Sequence, residues 1–292
     1  MTDRLSALLQ RFELRARVFH SGPLCGQARF DEGAGAGHLH LLRRGTLRVT
    51  GAAGQRSTVR EPSVLFFPRG SAHRLDGGSG VGADVVCASV DFGAGDENPL
   101  LCGLPPLLCV PLAQLPGLDL AQQLLFGEAQ GARCGHGAVV DRLTEVLVIQ
   151  LLRHALAQRL VDGGLMAGLS DPRLARTLSA LHADPGQAWN LDTMAAIAGM
   201  SRARFAAHFM HTVGTPPGDY LTGWRMGVAR QLLRKGLAVK QVAADVGYAS
   251  AGAFGRAFLL RVGATPTRWR QREGAQREPE RPVALHTQEN TP

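Results

Sequence analysis

The side chains with the most chemistry in this chain fall into two groups. In the first half, His38 and His40 stand one residue apart, Pro68-Arg69-Gly70-Ser71-Ala72-His73 begins 28 residues later, and two thiols, Cys25 and Cys87, flank the whole stretch. Residues i and i+2 of a strand project from one face, so the paired imidazoles would enter one space together. Cys25 falls in a loop and Cys87 in a strand, where it shares a face with Ser89 and Asp91. If these two thiols face each other, an oxidant would crosslink them and change the shape of this half; the alternative is inert packing. Cys102, Cys109 and Cys134 show no pairing pattern. In the second half the reactive groups are guanidiniums, Arg202 and Arg256 above all, which suit guanine edges or phosphates. No Ser-His-Asp constellation, phosphate-cradling glycine loop or HExxH motif is present.

The elements that must position those arginines are written twice. Ser201 pairs with Ser250, Phe205 with Phe254, Phe209 with Phe258, Gly214 with Gly263, Pro217 with Pro266 and Tyr220 with Trp269, all at an offset of 49. Before the turn, where Ala195 matches Ala243 and Gly199 matches Gly247, the offset is 48. One extra residue confined to a turn is what a structural repeat tolerates. Each copy reads as a short Ala-rich helix ended by a glycine free to take positive φ, then a serine capping a second helix. Phenylalanines four residues apart lie on one face of that second helix and hold it to the first, which leaves the other face free. This is a helix-turn-helix pattern, whose second helix enters a major groove. From Pro217 to Lys235 runs one long helix with Leu221, Met226, Ala229, Leu232 and Leu233 inward. Its length of roughly 27 Å suits recognition helices set in successive grooves about 34 Å apart.

Charge is distributed to match. Residues 1–170 carry 16 Lys and Arg against 15 Asp and Glu, whereas residues 171–292 carry 16 against 9. A basic half beside a neutral half is the footprint of a phosphate-binding domain joined to something else. The 292 residues suffice for two cores. No signal peptide or apolar run of membrane length is seen, so a cytoplasmic protein without a membrane partner is expected. Five irregularly spaced cysteines argue against a disulfide framework.

Residues 15–110 read as short strands broken by glycine clusters, including Gly45–Thr50, Ser63–Phe67 and Asp84–Phe92, and imply a small barrel or sandwich. Two helices follow over residues 119–161, the second so apolar from Val139 to Leu152 that it must be buried in its own core or against a second copy. Gly163, Gly164 and Gly168 followed by Ser170-Asp171-Pro172 read as a linker, with Asp171 capping a helix that runs through His182. The division expected is 1–165 for a sensor and dimerisation domain and 166–272 for a DNA-binding domain. A tail over 273–292 is polar, contains proline and is expected to lack structure.

The last 100 residues resemble the DNA-binding domain of the AraC/XylS family of bacterial transcriptional regulators, most closely along Val242-Ala243-Ala244-Asp245-Val246-Gly247-Tyr248-Ala249-Ser250 and on through Phe254, Arg256, Phe258 and Gly263-Ala264-Thr265-Pro266. The first half resembles the cupin-type sensor of one branch of that family, which includes a reactive-chlorine regulator. The fold implied is α+β in two domains, an N-terminal cupin-like β-barrel with helices and a C-terminal all-α double helix-turn-helix. The resemblance places the DNA-facing residues at Ser201, Arg202, Ala203, Arg204, Ala206 and Ala207, with His208 beside them, and at Ser250, Ala251, Gly252, Gly255 and Arg256. Most of these can offer a thymine methyl only apolar contact, which leaves Arg202 and Arg256 as the candidate readers.

In cupins, two histidines of one strand and a third from a Pro-x-Gly-x-x-His turn bind a divalent metal. Here the acidic ligand of cupin enzymes would fall at Arg44, and Pro62 stands where the second motif begins with glycine. No cofactor is required by this reading. A zinc held by His40 and His73, with Cys25 and Cys87 as further ligands, stands beside the alternative of packed barrel histidines. The function implied is a sequence-specific transcriptional regulator, an activator by the habit of the family. Its expected partners are double-stranded promoter DNA, RNA polymerase, a small-molecule or oxidant effector, and a second copy of the chain. A metal-dependent cupin enzyme fused to a DNA-binding module is the alternative, and the missing acidic ligand counts against it.

Overall fold

The computed structural model describes residues 3–275 and 286–288, apart from 13, 33–35, 81, 94–97, 99, 102, 116–117, 130, 132 and 162. The chain divides into two compact units, Phe12–Asp162 with Pro282–Pro292, and Gly163–Arg281 with Met1–Arg11.

The first unit is two five-stranded antiparallel sheets. One runs in the order β1 (Arg15–Leu24), β8 (Ala83–Asp91), β3 (Ala36–Arg44), β6 (Ser63–Phe67), β9 (Leu108–Pro111). The other runs β10 (His286–Gln288), β2 (Gln27–Phe30), β7 (His73–Asp76), β4 (Leu47–Gly51), β5 (Arg56–Val59). The central strands β3, β6 and β8 are buried almost throughout, as apolar runs covered on both faces should be, whereas β2, β4 and β7 alternate between buried and open positions. Phe30, Leu75 and Val49 from one sheet meet Leu65, Phe67 and Val85 from the other in a single core.

Two helices complete this unit, α2 (Asp119–Ala129) and α3 (His136–Ala157). Val140, Leu147, Leu151 and Leu152 turn the apolar stripe of α3 into the unit's own core. Val139 and Val146, with Leu120 and Leu124 of α2, remain on the surface. α3 also finishes the edge of a sheet. The Val18 and Ala16 N–H groups, on edge strand β1, donate to Asp141 Oδ1 at 2.8 Å and to Glu145 Oε1 at 3.3 Å. Charged side chains on an exposed edge keep it from templating another strand.

The second unit is helical: α1 (Ser6–Arg11), α4 (Gly164–Ser170), α5 (Pro172–Ala183), α6 (Leu191–Ala198), α7 (Arg202–Val213), α8 (Pro217–Arg234), α9 (Val239–Asp245), α10 (Ala251–Val262) and α11 (Pro266–Ala275). The glycine-rich stretch read as a linker is the helix α4. A Cβ on Gly168 would stand 2.7 Å from Leu178 Cδ1 and 2.9 Å from Val213 Cγ2, so this glycine serves close helix packing and not flexibility. α1 packs on α5, with Leu8 fully buried and Arg4 Nη1 donating to the Leu169 carbonyl at 2.8 Å. The contact division therefore falls at 162/163, and the first eleven residues group with the helical unit. α8 buries Trp224 and Val228 in addition to Leu221, Met226, Ala229 and Leu233, while Leu232 is only half-buried. Of the tail over 273–292, residues 276–285 and 289–292 lie outside the described residues. Where it is described it does not lack structure, because α11 continues through Ala275 and His286–Gln288 pairs with Gln27–Arg29.

Candidate nucleic-acid interface and sensor interior

The two helix-turn-helix copies are assembled by matching parts. Asn190 and Thr193 close a capping box at the start of α6, and the helix ends at Gly199 with φ +67°. In the second copy the positive φ falls at Gly247, at +78°. Phe205, Phe209, Phe254 and Phe258 are all fully buried, with ring centroids 5.6 Å apart within α7 and 5.4 Å within α10. Each pair then leans on an aromatic of the helix that follows: Phe209 on Tyr220 at 5.5 Å and Phe258 on Trp269 at 6.0 Å. The repeat in the sequence is thus a repeat of packing.

Opposite those phenyl rings lie the faces that the sequence assigned to DNA. Ser201, Arg202, Ala203, Arg204 and Ala207 are exposed and Ala206 is half-buried; Ser250, Ala251, Gly252 and Arg256 are exposed and Gly255 half-buried. The two serines differ. Ser250 accepts from the Ala253 N–H at 3.1 Å, whereas Ser201 occupies the capping position without a side-chain bond to the helix. Arg202 is held only loosely, 3.6 Å from Asp192 Oδ2 with both side chains well exposed, so it remains available to another partner. His208 departs from the face. Its Nε2 lies 2.8 Å from Asp171 Oδ2, on the carboxylate whose other oxygen caps α5.

One turn further along, both faces carry apolar side chains that motif reading passed over: Met210 on α7, and Leu259 and Leu260 on α10, with Leu260 90 % exposed. The offset of 49 that pairs Met210 with Leu259 would have disclosed them.

Inside the strand-rich unit the imidazoles do converge. His40 Nε2 stands 2.8 Å from His73 Nε2, and His73 Nδ1 donates to the Ser71 carbonyl at 2.7 Å. His73 therefore accepts the His40 Nε2–H. Its ring is stacked between Phe67 at 3.7 Å and Phe30 at 4.7 Å. Burial holds His40 well below the ordinary histidine value, with His73, His38 and His20 opposing its charge, and brings His73 down to about 4. Burial also lowers His38 and His20. His38 Nδ1, His40 Nδ1 and His20 Nε2 are buried without a hydrogen-bond partner.

Neutral imidazoles are what a metal requires, but this geometry does not fit zinc. Two nitrogens on one tetrahedral zinc would be about 3.3 Å apart, given bonds of about 2.0–2.1 Å, and 2.8 Å is a hydrogen bond. Among the described residues no group of three or more His, Cys, Asp or Glu side chains could hold a metal ion.

The thiols do not face each other. Cys87 lies opposite His40 and His20 in the sheet, while exposed Cys25 sits against Gly82, whose Cβ would meet its Sγ at 2.9 Å. Five residues of largely extended chain separate Gly82 from Cys87, roughly 16 Å, far beyond the about 7 Å between Cα atoms that a disulfide spans. The sequence could not show this, because face alternation fixes which side Cys87 takes but not how far along the strand Cys25 falls. Burial pushes the Cys87 thiol far up, which keeps it protonated. Of the remaining thiols, Cys109 and Cys134 are free and exposed, and Cys102 lies outside the described residues.

Comparison with known proteins agrees with both halves. Residues 3–157 match a cupin family model and residues 194–272 a helix-turn-helix domain model. The chain is similar to the RCS-specific transcriptional activator RclR of Escherichia coli, 31% identical over 248 residues, covering 82% of this chain and 87% of that one. It is similar to an AraC-like transcription regulator of Streptomyces lividans, 35% identical over 213 residues, covering 71% and 69%. Among solved structures it matches the DNA-binding domain of the transcriptional factor AdpA in complex with a target DNA, 30% identical, covering 37% of this chain and 96% of that one with a TM-score of 0.35.

Proposed function

Because the chain belongs to the AraC/XylS family of helix-turn-helix transcriptional regulators, with a cupin domain in its N-terminal half, we propose that α7 and α10 enter two successive major grooves on one side of promoter DNA. It is a DNA-binding regulator and not an enzyme. One observation carries the two-groove reading: both helices expose the same repeat positions over the same buried phenylalanine pair, and the 18-residue α8 joins the two copies. Arg202 reads from the first turn of α7 and Arg256 from the second turn of α10, and the small residues around them give apolar contact alone.

Replacing Arg256 by alanine should weaken binding to the footprinted operator by roughly tenfold or more, the worth of one bidentate guanine contact. Binding to random duplex at the same salt should stay as it was. An equal loss on both would make Arg256 a phosphate contact and not a reader.

The name of the Escherichia coli relative describes an activator specific to RCS. For this chain the reading is an oxidant effector that acts first at Cys25, the exposed thiol, since protonated and buried Cys87 is a poor nucleophile. A small molecule entering the cupin domain is the alternative. Activation would run through RNA polymerase, and a second copy would cover the apolar surface of Leu120, Leu124, Val139 and Val146. The protein would work in the cytoplasm, beside its promoter; no described helix is long and apolar enough to cross a membrane. Thiol titration before and after hypochlorite, with reporter output for Cys25→Ser, tests the effector. An unchanged reporter response in the variant removes the Cys25 route.

A further inference from the structure

Two reading helices can demand one half-site spacing only if their separation is rigid, and a single helix between them is a narrow support. Arg225, near the middle of α8, reaches both copies. Its Nε donates to the Pro185 carbonyl at 2.8 Å and its Nη2 to the Gln187 carbonyl at 2.8 Å, both in the loop that leads into α6. Its guanidinium carbon lies 5.9 Å from the centre of the Tyr248 ring, in the turn of the second copy. That loop is itself braced, since Trp189 Nε1 donates to the Asp184 carbonyl at 2.8 Å and the Gln187 N–H to Asp184 Oδ1 at 3.2 Å.

The two copies also touch through backbone at this point. A Cβ on Gly186 would stand 2.8 Å from the Asp245 carbonyl oxygen, and a Cβ on Gly247 would stand 2.5 Å from the Gly186 oxygen and 2.7 Å from Arg225 Nη2. The entry loop of one copy is therefore seated directly on the turn of the other, and one planar fork clamps both sides.

We propose that Arg225 is a positioning residue that fixes the separation of the two recognition helices and hence the spacing between half-sites that the protein accepts. The inference rests on the two-groove reading above. Lysine would keep the charge but not the planar fork that bonds two carbonyls while lying over a ring.

The test starts from the duplex that the full wild-type chain selects out of a random pool. Versions with one base pair added or removed between its two sub-motifs are compared, together with a duplex that keeps one sub-motif. The wild-type chain should prefer its own spacing by roughly tenfold. In Arg225→Lys, and in Gly186→Ala as a wedge that leaves Arg225 untouched, that preference should fall below about threefold, while the single sub-motif binds as before. A merely structural role would instead weaken every duplex alike. Retained spacing preference in a folded variant overturns the proposal, as does a uniform loss, and so does failure of both variants to melt cooperatively, which would assign Arg225 to stability. If the wild-type chain selects a single sub-motif, the two-groove reading fails before any variant is compared.

Discussion

Four imidazoles share one dry space in the strand-rich unit, and this sets a pH dependence whose sign can be worked out. Burial lowers His20, His38, His40 and His73, and His73 falls to about 4 from an ordinary value of 6.5. The nearest opposing influences are the Gly22 hydrogen bond and Asp84 at His20 and the Ser71 hydrogen bond at His73, and neither outweighs burial. Above 6.5 both folded and unfolded chains hold neutral imidazoles, so these groups add no slope. As the pH falls from 6.5 toward about 4, the unfolded chain takes up protons that the folded chain refuses, and stability is lost. The urea midpoint should therefore be flat above that window and fall within it. His73→Phe keeps a flat ring between Phe30 and Phe67 and should lessen the fall; an unaltered slope would place its origin elsewhere. The sequence gave away His38, His40 and His73 through their spacing. It hid His20, which joins them only because β1 pairs with β8 across a bulge between Val18 and His20.

A second residue tells where the outer surface has been kept bare. A Cβ on Gly255 would meet no atom within 4 Å, so nothing inside the protein asks for glycine in the middle of α10. Gly255→Ala should raise the stability of the helical unit by about 1 kcal/mol. If the bare backbone serves approach to the groove floor, the same variant should bind its operator less tightly; a gain in both would remove that reason.

At the scale of elements, the repeat was legible because each copy is built from local rules: a glycine at positive φ, a serine at the cap, phenylalanines four apart. The stretch over Gly163–Asp171 misled for the opposite reason, since Gly168 reads as a breaker until its neighbours Leu178 and Val213 are known, and both are distant in sequence. Asp171 joins local and distant contacts. Its Oδ1 accepts from the Arg173 and Leu174 N–H groups at 2.8 and 3.0 Å, and its Oδ2 meets His208 of α7. Burial opposes its charge, yet the Leu174 N–H, His208 and the Arg173 N–H outweigh it and lower the carboxyl below its ordinary value. Asp171→Ala should cost about 1 kcal/mol as a lost cap, read as a lower urea midpoint. Asp171→Asn should recover most of it; if it recovers nothing, the charge toward His208 matters more than the cap.

For the whole molecule, charge and topology divide the chain in different places. Composition sets the neutral half against the basic half near residue 170, and a reader of the sequence assigns the first residues to the sensor because they come first. Contacts assign them elsewhere: Leu5 and Leu8 are buried, α1 lies on α5, and Arg4 holds the end of α4 at Leu169. No periodicity in six residues could have announced this, because Ser6–Arg11 is short and its partner lies more than 150 residues away. Burying a leucine is worth about 1.5–3 kcal/mol, so a full chain lacking residues 1–11 should lose stability in its helical unit. Hydrogen exchange separates the two assignments. Amides of α5 should exchange faster in the truncated chain while those of β3 and β8 keep their protection, since local opening follows the contacts that are removed. Faster exchange in β3 and β8 with α5 unchanged would return α1 to the strand-rich unit and make the sequence order of the domains the right one after all.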